Sequence, residues 1–254
     1  MQTRLRPTQQ SVQSRMRTWY RRMPGRLVAQ AEQQQLDALL HSLTGNRVAQ
    51  LGCVGHQSLL SGSPMPHHIL VDGDVDSTDI DPSLYARPDA LPFAAESLDV
   101  LVLPHTLEFN PDPQRILQEC HRVLTPEGHL VIIGFNPHGL WGLLRWLQRH
   151  RDEAPWCGTF LGLSQLCNWI VALDFHIVRT RHFFFRPPLQ HAAIMRALSG
   201  LEVLGKHRFF PFGGLYLVVA QKRVPAMTPI QLRWRIAPRR RVTALCWVEN
   251  DTNR

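Results

Sequence analysis

Residues that could do chemistry stand at the ends of three apolar runs in the first half of the chain. The stretch "RVAQLGCVGHQ", Arg47–Gln57, passes from an apolar run into a loop that contains Gly52 and Gly55, while Asp72 and His105 each end a later run. Glycine lets a backbone approach a ligand closely, a carboxylate accepts hydrogen bonds, and an imidazole changes charge near neutral pH. The pattern indicates a ligand site, with a simple turn and a structural histidine as the alternatives.

The apolar runs predict the elements that would position these residues. Runs at 47–52, 67–72 and 98–103 predict strands, and the continuous run at 98–103 is typical of a central strand in a parallel sheet. Apolar residues at helical spacing between Leu27 and Leu43 predict a helix before the first strand. Open parallel sheets bind ligands beyond the carboxyl ends of their strands, which is where the candidate residues stand.

The segment "PDPQRILQECHRVLTPEGHLVIIGF", residues 111–135, has the clearest pattern in the chain. Asp112 can cap a helix, and Pro113 suits the first helical position because its missing N–H would have no partner there. The turn Thr125–Gly128 is expected to end this helix before a buried strand. The helix presents one apolar stripe, made of Ile116, Leu117, Cys120, Val123 and Leu124.

The second half of the chain continues the alternation. It predicts a helix at 163–175, a strand at 176–185, a helix at 189–205 and a last strand at 213–222. Strands that alternate with helices in this way predict an α/β fold with helices on both faces of the sheet.

Composition favours one large domain in a reducing compartment. A chain of 254 residues with 44% apolar residues can close a large core. Its five cysteines form no CxxC pair and its histidines show no ligand spacing, so we expect neither disulfides nor a metal site. This cysteine usage fits a reducing cytosol, so we expect a cytoplasmic protein. Asn168 and Asp174 interrupt the most apolar later run, so we expect no transmembrane segment.

Positive charge is concentrated at the two ends of the chain. The net charge is +8, with seven arginines and no acid in residues 1–31, and seven Lys or Arg and no acid in residues 222–241. We expect a basic tail at 1–18, a folded domain at 19–224 and a second basic tail at 225–254. Such ends suit RNA or an anionic membrane face, and solvated tails are the simpler alternative.

The run from Pro88 to Pro137 resembles the class I S-adenosylmethionine-dependent methyltransferases, in particular the type 11 group. "PDALPF", "SLDVLVLPH" and "DPQRILQECHRVLTPEG" follow motifs that recur there in the same order. "WYRRMPGRLVAQAEQQQLDALL" and "GFNPHGLWGLLR" resemble a bacterial branch of the group. The resemblance implies a Rossmann-like class I methyltransferase fold, a mostly parallel seven-stranded sheet, and S-adenosyl-L-methionine as cofactor.

The resemblance also implies roles for the first two strand ends. Gly52 and Gly55 would let the backbone pass under the cofactor, and Cys53 would line the same loop. Asp72 matches the acid that accepts hydrogen bonds from the ribose hydroxyls, and Asp74 could compete for that role.

Further roles follow for the third and fourth strand ends. Asp89 matches the acid at the adenine amino group, Ala90 would donate its backbone N–H to the ring, and Leu91 would pack on it. His105 stands where the family faces cofactor and substrate, so it could contact the methionine carboxylate or act as a catalytic base. A structural histidine remains the alternative.

The glycine loop departs from the family pattern D-x-G-C-G-x-G. Gln50 replaces the leading acid, Val54 and His56 replace two glycines, and Gly55 stands where the residue is usually variable. Cofactor binding is nevertheless expected, because Asp72 and "PDALPF" persist in the right order. Trp19 and Tyr20 are expected to close over the cofactor.

Two functions stay open at this point. One is methyl transfer to a small or lipid-like molecule, for which the protein mainly holds donor and acceptor in line. The N-terminal helix and the inserts after the fifth strand and before the last helix would face the acceptor. The two inserts are rich in aromatic residues, and core packing is the alternative explanation for most of these. The other is a catalytically lapsed methyltransferase fold that binds a partner such as RNA through its basic ends.

Overall fold

The fold is a single mixed sheet with helices packed on it. The computed structural model describes residues 15–52, 58–73, 82–139, 141–142, 145, 155–186 and 213–223. Its strands are β1 (Arg47–Leu51), β2 (His67–Asp72), β3 (Leu84–Tyr85), β4 (Leu98–Pro104), β5 (Leu124–Phe135), β6 (Phe175–Phe183) and β7 (Leu215–Lys222). Its helices include α1 (Gly25–Leu40), α2 (Pro113–Val123) and α3 (Leu163–Ala172). Residues 15–20 form a further helical stretch, here called the N-terminal segment.

The strand order is β3-β2-β1-β4-β5-β7-β6. Neighbouring strands are parallel except at β7, which runs antiparallel to both β5 and β6. The mostly parallel seven-stranded sheet is therefore confirmed; β3, at two residues, is too short to show a sequence pattern. The order reverses between β1 and β4, and the crevice at such a point is where open sheets bind ligands.

Helices cover both faces of the sheet, as expected from the alternating pattern. Val100 and Val102 of β4 pack into one core with α1, while Leu101 and Leu103 pack into the other with α2 and α3. Successive side chains of a strand point to opposite faces, so a continuous apolar strand must be covered twice.

The segment at 111–135 folds as predicted up to its turn. Asp112 caps α2 by accepting a hydrogen bond from its first turn. β5 then begins directly at Leu124, which pairs with Leu98. The expected turn, Thr125–Gly128, is instead a bulge inside the strand, where the register shifts and Glu127 takes a φ of 64°. The helix therefore ends at Val123 and regular pairing with β4 starts at His129, as expected, but the turn residues belong to the strand because Leu124 already pairs with β4.

Several sequence predictions lie outside the described residues. They concern Cys53 and Gly55 of the glycine loop, the helix at 189–205 and the tail at 225–254. Met16 and Arg17, which the sequence analysis assigned to the basic N-terminal tail, are buried within a helical stretch. The packed part of the chain therefore begins before residue 19.

Candidate active site

Gln50 and Gly52 hold the turn that follows β1. Gly52 has a φ of 89°, which favours glycine, and its N–H donates to the Val71 carbonyl at 2.8 Å. The buried Gln50 amide donates to the Gly52 carbonyl and accepts from the Leu59 N–H, each at 2.9 Å. Gln50 therefore joins the two ends of the glycine loop from the position where the family carries an acid.

Asp72 lies at the carboxyl end of β2, next to this turn. Its carboxylate is buried and forms an ion pair with Arg17 of the N-terminal segment, with 2.5 Å between Nη2 and Oδ2. Buried charges are stable only when paired, because both have been removed from water. The acid expected at the ribose is thus bound by an arginine of the same chain.

Asp89 begins the loop that would face the adenine. The Arg87 guanidinium donates two hydrogen bonds to this carboxylate, at 2.9 and 2.6 Å, and this contact lowers the pKa of Asp89. The Ala90 N–H donates to the Arg87 carbonyl at 3.1 Å, and the Leu91 N–H donates to Glu119 at 2.8 Å. The Ala90 N–H therefore donates within its own loop in this structure, and its role at the adenine ring stays a prediction.

His105 stands at the centre of a buried polar array at the end of β4. Its backbone is left-handed, with a φ of 53°. Nδ1 lies 2.8 Å from Glu108, and Nε2 lies 2.7 Å from Glu32 of α1. The Tyr20 hydroxyl donates to Glu32 at 3.1 Å, and Glu108 accepts from the Phe135 N–H. The array joins the N-terminal segment, α1 and the ends of β4 and β5.

The protonation of this array follows from its geometry. Burial by itself lowers the pKa of His105, but Glu32 and Glu108 outweigh it and raise that pKa to about 9. Burial also raises the pKa of Glu108. The two carboxylates therefore favour the protonated imidazolium of His105. Both ring nitrogens are hydrogen-bonded within the array, as a structural histidine requires, and the role of catalytic base stays a prediction.

An aromatic cluster lies beside His105. It consists of Trp19, Phe135, Trp141 and Phe160, in which Phe135 stacks on Trp141 and Phe160 with ring centroids 5.5 and 5.0 Å apart. Trp19 meets Phe135 and Trp141 edge-on. The His105 ring lies 4.2 Å from that of Phe135. The carboxyl ends of β4 and β5 are therefore packed against a largely buried aromatic cluster.

Two residues of the site had not been singled out from the sequence. Glu32 interrupts the buried stripe of α1, four residues from both Val28 and Leu36, and an acid at such a position is the signal that could have found it. Arg17 carried no signal beyond general basic charge. Its partner lies on another element, and only folding brings the two together.

Two features are not found in the part of the chain that the structure describes. No group of His, Cys, Asp or Glu there is arranged to hold a metal ion. No described helix is long and apolar enough to cross a membrane.

Comparisons with known proteins agree with this geometry. The family model described as "Methyltransferase domain" matches residues 77–132. The chain is 32% identical over 188 residues to the uncharacterized protein YafS of Escherichia coli, covering 72% of this chain and 68% of YafS. Over 51 residues it is 43% identical to malonyl-[acyl-carrier protein] O-methyltransferase 1 of Coxiella burnetii, covering 20% of this chain and 18% of that enzyme.

A solved structure shows the same fold. It is a SAM-dependent methyltransferase of Thermotoga maritima, described as a possible histamine N-methyltransferase. The TM-score is 0.64 at 17% identity, covering 84% of this chain and 97% of that one. The chain belongs to the class I S-adenosylmethionine-dependent methyltransferases of the type 11 group. Its cofactor is S-adenosyl-L-methionine.

Proposed function

We propose that the chain methylates a small or lipid-like acceptor bound beside the aromatic cluster. The observation that carries the proposal is the position of this cluster, which adjoins His105 at the carboxyl ends of β4 and β5. This edge of an open sheet is where ligands bind. Aromatic side chains favour contact with an acceptor that has a large apolar surface.

The residues at the neighbouring strand ends fit the cofactor. The left-handed Gly52 turn lets backbone approach a ligand, Asp72 offers a carboxylate to a ribose diol, and Asp89 offers one to an amino group. The proposed cofactor-binding set is Gly52, Cys53, Gly55, Asp72, Asp89 and Leu91, covered by Trp19 and Tyr20.

Position and charge are what the chain's own residues contribute. The bound cofactor supplies an electrophilic methyl group, which passes to the acceptor in an in-line displacement. Each ring nitrogen of His105 forms one hydrogen bond to a glutamate, and each of these two bonds contains one proton. The imidazole and the two carboxyl groups therefore carry a total charge of −1, whether a proton lies on the ring or on a carboxylate. That charge favours a cationic donor at this edge.

Methyl transfer to fractionated acceptors tests the proposal. The full chain is incubated with S-adenosyl-L-methionine labelled in its methyl group and with bacterial lipid extract, aqueous metabolite extract or RNA. We expect label in the lipid or metabolite fraction, and much less with Asp89→Ala. Cofactor binding without label in any fraction would support the lapsed fold instead, and label in RNA would contradict the proposed acceptor class.

A further inference from the structure

The Arg17–Asp72 ion pair lies inside the proposed cofactor site. Arg17 belongs to the N-terminal segment, and Asp72 ends β2. The Arg17 side chain is 7% exposed and the Asp72 side chain is 0% exposed, so both are almost entirely removed from water. The guanidinium binds Oδ2, one of the two oxygens through which Asp72 would accept ribose hydroxyls.

A ligand that binds Oδ2 of this carboxylate must displace the guanidinium from it. The carboxylate has no exposed surface, and Arg17 lies at hydrogen-bond distance from it. A buried carboxylate that loses its cation without replacement is strongly destabilised. Ribose hydroxyls could supply replacement hydrogen bonds, because both are donors. Arginine and ribose are thus competitors for one acid.

We propose that Arg17 is an internal latch, which occupies the ribose-binding carboxylate in the cofactor-free chain and is displaced by the cofactor. The inference rests on the proposed assignment of Asp72 to the ribose. Trp19 and Tyr20 follow Arg17 in the same segment and contact Phe135 and Glu32. Displacement of Arg17 by the cofactor would therefore also affect the contacts that Trp19 and Tyr20 make with the aromatic cluster and Glu32.

Removing the latch should tighten cofactor binding. In Arg17→Met the free protein retains a buried carboxylate without its arginine, so S-adenosylhomocysteine should bind about tenfold more tightly while the ligand-free protein melts at a lower temperature. Arg17→Lys keeps the positive charge but lacks the planar guanidinium, so its affinity for S-adenosylhomocysteine should lie between those of the wild type and Arg17→Met. This variant also tests the proposal if Arg17→Met does not fold. Arg22→Met, at an exposed arginine, is the control for charge and should bind like the wild type.

Titration calorimetry with S-adenosylhomocysteine and its 2′-deoxy form separates the possible failures. If the wild type prefers the ribose form and Asp72→Asn loses that preference, Asp72 binds the ribose. The latch is overturned if that preference holds but neither Arg17 variant binds more tightly. Weaker binding in both would also overturn it, because Arg17 would then be a cofactor ligand. A wild type without the preference would remove the ribose assignment, and the latch with it.

Discussion

The chemistry of His105 is set by its two neighbours. An imidazole open to water exchanges protons near neutral pH, whereas this one is buried between Glu32 and Glu108. Its raised pKa favours the protonated form at neutral pH, and its hydrogen bond to Glu32 connects α1 to the end of β4. Its role at the residue scale is to position other groups, and this role has a measurable pH signature.

Alkaline pH should weaken the fold through His105. Its folded pKa of about 9 lies above its ordinary value of 6.5, so its stabilisation is complete below pH 6.5 and is lost as pH rises through 9. That loss is on the order of 3 kcal/mol. Urea unfolding from pH 6.5 to 9.5 should show the wild type converging on His105→Gln. A gap that stays constant over this range would mean that His105 is neutral in the folded protein.

Asp89 should affect cofactor affinity without affecting the fold. The side chain lies in a loop and its partner is the largely exposed Arg87. Asp89→Ala removes one charge-assisted hydrogen bond to the cofactor, worth ~1.5–3 kcal/mol, so affinity should fall more than tenfold. Calorimetry with S-adenosylhomocysteine measures this change, and Arg87→Ala, which keeps the carboxylate, is the control. An unchanged affinity in Asp89→Ala would exclude the adenine assignment.

At the scale of elements, the N-terminal segment and α1 work as one unit. Gly25 permits their close packing, because a Cβ there would lie 2.3 Å from the Trp19 carbonyl oxygen. The hydrogen bond from Tyr20 to Glu32 closes the same contact. Both elements therefore reach the site together, carrying Arg17 and Glu32 to residues on other strands.

Gly25→Ala should weaken the packing between the N-terminal segment and α1. Alanine normally stabilises a helix relative to glycine by about 1 kcal/mol, but here the added methyl group would overlap backbone. We expect a net loss of roughly 1–3 kcal/mol in unfolding free energy, together with faster trypsin cleavage at the N-terminal arginines. Gln30→Ala, at an exposed position of α1, should stay within about 0.5 kcal/mol of the wild type. Equal stability of the two variants would show that the segment does not depend on Gly25.

At the scale of the whole molecule, cofactor binding should stabilise the folded chain. A ligand that binds only the native state adds ~2–3 kcal/mol at a hundredfold excess over its Kd. Thermal melting with S-adenosyl-L-methionine and with S-adenosylhomocysteine measures this effect, and Asp89→Ala at the same ligand concentrations should respond less. Melting curves that neither ligand shifts would argue against cofactor binding at this site.

The basic ends of the chain should contribute little to cofactor binding. We expect weak RNA binding whose log K falls with log salt by about 0.7 for each phosphate contacted on a single strand. Deleting residues 1–14 and 226–254 should leave the cofactor Kd unchanged, as measured by calorimetry. A tight RNA complex that resists physiological salt and disappears on truncation would contradict this expectation.

Local patterns in the sequence were enough to predict most elements of the sheet. β2 occupies the expected residues, α2 begins after the expected cap, and α1 runs over Gly25–Leu40 where 27–43 was predicted. Apolar periodicity and capping residues act over one or two turns of chain, so they can be read from neighbours in sequence. The bulge at Thr125–Gly128 was missed because it depends on pairing with β4.

The sequence by itself determined the fold class and the cofactor, and it predicted the strand ends at which we place the site. Only the tertiary structure decided the state of the groups there. Arg17 and Asp72 are 55 residues apart, and Glu32 and His105 are 73 apart. The charge and accessibility of a buried group depend on what lies within a few ångströms of it in space, and no local pattern specifies those neighbours. The two glutamates around His105 and the arginine at Asp72 are brought to these positions only when the chain folds.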